Sequence, residues 1–122
     1  MPLSDPLLVV GATAMRSAIT HVSLAASNPE PSGGNQALCA RQPATWNAVT
    51  AGGDFTLAAG LNFTSGLANG PVTHVCFWNA VGTGSPPSGG TYYGSQAVSG
   101  DPTFNSNGDY SVTAITINGN ST

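Results

Sequence analysis

Apolar residues along this chain follow two different periods. Over residues 1–19 they recur at Leu8, Ala12, Met15 and Ile19, spaced to line one face of an α-helix. Ser4 is placed to N-cap that helix, because its hydroxyl can accept from the unpaired amides of the first turn. Asp5 suits the positive end of the helix dipole, and Pro6 is tolerated in a first turn that has no use for its missing N–H. Gly11 weakens the helix by about 1 kcal/mol relative to Ala. From residue 20 the pattern changes to short alternating runs. Residues 20–26 put Val22 and Leu24 on one face of a strand and His21, Ser23 and Ala25 on the other. Residues 72–80 do the same with Val75 and Phe77 against His74, Cys76 and Trp78. Both faces of this second run are apolar, as in a strand covered on both sides.

Both runs carry Thr-His-Val, at Thr20 and at Thr73, followed by a small and then a large apolar residue. The echo is either convergent strand chemistry or a mark of two equivalent positions in adjacent strands. Between and after them the chain reads as further short strands. Residues 37–46 form an edge or bulged one, because Pro43 cannot donate to a ladder. Phe55-Thr56-Leu57 and Leu61-Asn62-Phe63 form two short strands or one kinked one. Residues 91–98 and 110–117 complete the set. Turn-rich segments separate them, at residues 27–35, 51–54, 66–71, 82–90 and 99–102, and Asn107-Gly108 is a hairpin signal. Many short strands with Gly, Pro and Asn turns predict an antiparallel β-sandwich, jelly-roll-like, with one N-terminal helix. Residues 1–122 read as a single domain: helix 1–19, sandwich 20–118 and a polar tail 119–122. The helix is expected either to pack on the edge or end of a sheet or to attach the domain to a larger assembly.

Charge narrows the function. Charged residues make up 6% of the 122, and Arg16 and Arg41 are the whole basic complement. Two arginines cannot displace counterions over a nucleic-acid footprint, nor hold a basic face on a membrane. No run approaches the about 20 apolar residues of a membrane span. Residues 7–18 resemble a signal core but lack a preceding basic segment, so they read as a mature N-terminus. Few charges weaken repulsion between copies, which favours an oligomer or lattice.

Candidate chemistry is sparse. His21, His74, Cys39 and Cys76 lack the close spacings of a zinc site, and no cofactor motif is present. No Gly-x-Ser-x-Gly occurs, and His74 with Asp101 or Asp109 is an unsupported fragment of a triad. Glu30, Asp54, Asp101 and Asp109 sit in turn segments, where capping is their ordinary work. The chain therefore reads as no enzyme. Cys39 and Cys76 either form a disulfide or stay buried as free thiols. Asn62 and Asn120 begin glycosylation sequons. Three residues stand out as possible ligand or partner contacts. Arg41, the one basic residue of the β region, is expected to clamp loop carbonyls or a carboxylate. Tyr92 and Tyr93 carry rings able to stack on sugars and, being adjacent in a strand, point to opposite faces. Trp46 reads as core.

The order of segments resembles a family of small siphophage virion proteins described as tail-fibre or minor tail proteins. The residues that carry it are the N-terminal helix, Thr20 to Leu24, Ala40-Arg41-Gln42, Trp46, Thr73-His74-Val75, Trp78-Asn79-Ala80 and Gly90 to Tyr93. Ala25 and Cys76 depart from the family, which often has His and Gly there. The resemblance implies a β-sandwich assembling in copies on a virion. Its partners would be itself and other virion proteins, with the loops at 28–35 and 82–90 facing outward. A capsid decoration protein and a module binding host surface glycans are the alternatives.

Overall fold

The computed structural model describes residues 4–98, 100 and 102–118. Its described strands pair antiparallel throughout, and one helix precedes them, which is the mainly-β class expected. Helix α1 spans Asp5–Ala18. Residues 1–3 of the predicted helix, like the 119–122 tail with its Asn120 sequon, lie outside the described residues. Ser4 holds the N-cap position in extended backbone, but its side chain makes no capping hydrogen bond. Asp5 and the first-turn proline are left to favour the helix start. Leu8, Ala12 and Ile19 are buried, so the expected face is the inward one. Arg16 fixes the C-terminal end: its Nε donates to the Asn47 carbonyl at 2.8 Å and its Nη2 to that of Trp46 at 2.6 Å.

Strands β1 (His21–Ala25), β2 (Gln42–Pro43), β5 (His74–Trp78) and β6 (Tyr92–Ala97) form a four-stranded sheet in the order β2-β1-β5-β6. The two Thr-His-Val runs are therefore neighbours. Their register pairs His21 with Trp78, Ser23 with Cys76 and Ala25 with His74, so Ser23 and Cys76 sit at the middle of a local two-fold. The two ends match in detail. The Thr20 amide donates to the Trp78 carbonyl at 3.0 Å, and the Thr73 amide to that of Ala25 at 2.9 Å. Each threonine hydroxyl lies 2.9 Å from Nδ1 of its following histidine. Pro43 ends up on the edge strand, where a missing donor costs nothing.

The other strands make two ribbons, β3 (Asp54–Thr56) with β8 (Thr116–Asn118) and β4 (Leu61–Phe63) with β7 (Tyr110–Val112). Their inward residues meet Val22, Leu24, Val75 and Phe77 of the sheet in one core with Trp46, Phe55 and Phe63. Two expectations are corrected here. Residues 110–117 are not one strand: the inward positions run Tyr110, Val112, Ile115, Ile117, and the three-residue step breaks the period of two. The chain therefore leaves one ribbon at Val112 and enters the other at Thr116. Asn107-Gly108 does build a turn, closed by the Asn105 side chain accepting from the amides of Asn107 and Asp109. It does not join a hairpin, because β6 pairs with β5 and β7 with β4.

Candidate functional site

The sheet face turned away from this core carries Ser23, Ala25, Cys76 and Trp78. The loops expected to face outward, residues 28–35 and 82–90, keep most of their residues exposed, and the segments that contain them, 26–36 and 80–90, lie along this face. The first closes on itself, with the Pro29 carbonyl accepting from the amides of Gly33 and Gly34. Gly33, at φ +79°, lies on the Trp78 indole, and a Cβ there would stand 2.7 Å from Cη2. A side chain at this position would push the loop off the sheet. Below it the Trp78 indole N–H donates to Ser23 Oγ at 2.8 Å, and the Ser23 hydroxyl donates to Gln36. The Gln36 amide in turn lies 3.3 Å from Cys76 Sγ.

Arg41 is part of this cover rather than a surface contact. It is 2% exposed, and its guanidinium carbon lies 3.7 Å from the Trp78 ring centroid. Its Nη1 donates to the carbonyls of Ala80 and Gly89, each at 2.9 Å. That is the clamp expected of it, tying the chain just before β2 to the 80–90 segment. Burial lowers its pKa from the ordinary value, yet the group stays charged, and the indole face stabilises that charge. Tyr92 also packs on Trp78, with ring centroids 5.2 Å apart, and its hydroxyl donates to Glu30 at 2.6 Å. Ser95 donates to the same carboxylate oxygen at 2.8 Å. Both bonds hold Glu30 below the usual carboxylate pKa. Burial, with the Glu30 bond, pushes the Tyr92 hydroxyl up to about 12.

This strap predicts a pH dependence. Glu30 has a lower pKa folded than unfolded, so the unfolded chain takes up the proton first as pH falls. Its stabilising contribution is present above 4.5 and is lost as pH drops through the folded value. Thermal midpoints measured from pH 6 to pH 3 should fall more steeply for the native chain than for Glu30→Gln. Parallel profiles would show that the strap contributes nothing.

Both cysteines are buried free thiols, and burial raises the Cys39 thiol to about 11 and raises that of Cys76. His21 and His74 lie at opposite ends of the β1–β5 pair. Among the described residues no three of His, Cys, Asp and Glu converge, and no helix is long and apolar enough to cross a membrane.

Tyr93 is separated from Arg41 and Tyr92. It lies half exposed on the opposite sheet face, at a cleft of about 680 Å³. Ala14, Met15, Ala18 and Ile19 of the helix end, Phe77, and Ile117 supply the apolar walls. The cleft opens between β6 and β8, which are bridged by the Gln96 side-chain amide donating to the Thr116 carbonyl at 2.7 Å. Next to it the helix carries a second apolar stripe, Leu7, Gly11, Ala14 and Ala18, with Val10 beside it. Leu7 is 51% and Val10 66% exposed. Sequence reasoning found the inward stripe and missed this one. The signal was the spacing of Leu7, Gly11, Ala14 and Ala18, which lies roughly a third of a turn away from the buried face. No known family model, curated protein or solved structure matches the chain.

Proposed function

We propose that this chain is a non-enzymatic structural subunit of a bacteriophage virion, of the tail-tip or tail-fibre type. It works by packing against copies of itself and against other virion proteins. One observation carries the assembly role. The sheet's second face is covered by the chain's own loops, while the outer flank of α1 keeps Leu7 and Val10 in solvent beside an apolar cleft. Apolar surface left uncovered in one continuous stretch is what a contact between subunits uses. The low charge of the chain supports close packing of copies. The virion setting rests on the order of segments described above.

Quantitative mass spectrometry of purified virions, from the phage whose genome carries this sequence, tests the proposal. A handful of copies per particle is expected for a tail role, and hundreds would assign it to capsid decoration. Its absence from particles would contradict both. The half-exposed Tyr93 ring favours one second reading, a contact with host surface glycan. Binding to envelope polysaccharide that is lost in Tyr93→Ala would select that reading.

A further inference from the structure

We infer that Arg41, stacked on Trp78, is a binding site for a carboxylate, and that residues 80–90 are its lid, closed in this structure. The site lies on the sheet face opposite Tyr93 and the cleft, and it does not depend on the assembly role.

The guanidinium decides the ligand. Its Nη1 is taken up by the Ala80 and Gly89 carbonyls. Nε and Nη2 are shielded from solvent and have no acceptor among the described residues. These two nitrogens share one edge of the planar group. Their N–H bonds run parallel there, at the spacing of the two oxygens of a carboxylate. A charge taken out of water calls for a counter-charge or a full set of hydrogen bonds. Among the described residues Arg41 has neither. The titratable groups that sense its charge are His21 and Cys76, not a carboxylate, and its remaining support is the Trp78 ring. Arg41 is also the one basic residue of the β region, so the charge it leaves unmatched suits a monoanion rather than a phosphate dianion.

The cover can lift as one piece. Thr83 and Ser88 exchange backbone hydrogen bonds at 2.9 and 2.8 Å, which closes the tip on itself. Glycines flank the tip, Gly82 at φ +73° and Gly89 and Gly90 at +99° and +76°, where rotation meets least steric resistance. Gly82 lies against the guanidinium, and a Cβ there would stand 2.8 Å from Nη1. Little else holds the tip down. Ser85 Oγ donates to the Leu38 carbonyl at 2.8 Å, and Pro87 is the one buried residue of 81–90. Lifting the tip breaks the bond to Gly89 and uncovers the edge of Nε and Nη2 above the indole. A carboxylate arriving there makes two charge-assisted hydrogen bonds. Its apparent affinity is scaled down by the fraction of molecules with the lid open.

The chain has two arginines, so arginine Nε–H signals in an NMR spectrum of the 15N-labelled protein are two, and Arg16, bonded to the Asn47 carbonyl, is the internal control. Sodium acetate, titrated against sodium chloride at constant ionic strength, should move the Arg41 signal and the amides of 80–90 saturably and leave Arg16 in place. Pro87→Ala, which frees the lid, should lower the half-saturating acetate concentration by about tenfold. Arg41→Lys keeps the charge and loses the paired donors, and its 80–90 amides should no longer respond. An Arg41 signal unmoved by acetate would overturn the site. An equal response to chloride, or one retained in Arg41→Lys, would overturn the carboxylate. An unchanged half-saturation in Pro87→Ala would overturn the lid. An acetyl-aspartyl peptide amide and methyl glucuronide then distinguish the source, since the tighter of the two marks the carboxylate as that of a protein or of an acidic sugar.

Discussion

Phe77→Ala should lower the free energy of unfolding by about 3 kcal/mol, the low end of the 3–5 kcal/mol range for truncating a buried aromatic. Phe77 is almost fully buried, and its ring meets Trp46 with centroids 6.4 Å apart. Trp46 in turn stands edge-on to Phe55 at 5.2 Å. This row of three rings connects the four-stranded sheet to the β3–β8 ribbon. The Trp46 indole N–H donates to the Ile19 carbonyl at 2.8 Å and ties in the end of the helix. Removing the first ring leaves a hole that the rigid rows on either side cannot close. The low end of the range applies because Phe77 also lines the cleft, so one wall is already open. The loss should be read from urea midpoints at constant slope. A cost below about 1 kcal/mol would mean that the sheet and the ribbon are not packed through this residue.

Trp78→Ala, one residue along and on the opposite face, should cost about 3–5 kcal/mol, but with a different signature. The indole is the floor on which the 26–36 segment rests, and Arg41 lies over it. Truncation removes the π-face that stabilises a buried guanidinium, and it removes the hydrogen bond to Ser23. Gly33 and Tyr92 lose their common support. Limited proteolysis under native conditions should then cut within residues 28–35 of Trp78→Ala far faster than in the native chain. In Phe77→Ala the same segment should be cut only at the rate set by its global stability. Trp78→Phe keeps a ring and loses the N–H, and should cost about 1 kcal/mol more than the change in area alone. Equal loop cleavage in Phe77→Ala and Trp78→Ala, at matched stability, would show that the loop does not depend on the indole.

These two residues also show how far the fold can be read from the chain. Alternation alone assigned Val75 and Phe77 to one face and Cys76 and Trp78 to the other, because a strand's period of two leaves no freedom. Adjacency of the two Thr-His-Val runs was one of two open readings, and pairing in opposite directions explains why the match is short. What covers the second face was not legible. Ser, Asn, Pro and Gly mark a segment as turn-forming, but they do not say where the turn lies. Gly33 matters because it has no side chain, and only the position of Trp78 reveals that. The break between β7 and β8 was legible in the step from Val112 to Ile115. The partners of β7 and β8 were not, since a local turn signal at Asn107-Gly108 carries no information about distant strands. Of the three contact candidates, Arg41 and Tyr92 hold the loop cover, and Tyr93 stands at the cleft. The helix flank beside Tyr93 was hidden by an inward stripe that satisfied the helical period by itself.

Amide hydrogen exchange, followed residue by residue at 20 μM and at 1 mM, tests most directly the division between a two-sided central strand pair and a docking surface on the helix flank. Amides of β1 and β5 should exchange slowest, at a rate set by global unfolding and equal at both concentrations. Those in and beside α1 and around Tyr93 should exchange faster at 20 μM and gain protection at 1 mM. Fast exchange in β5, or a helix whose protection is the same at both concentrations, would contradict that division.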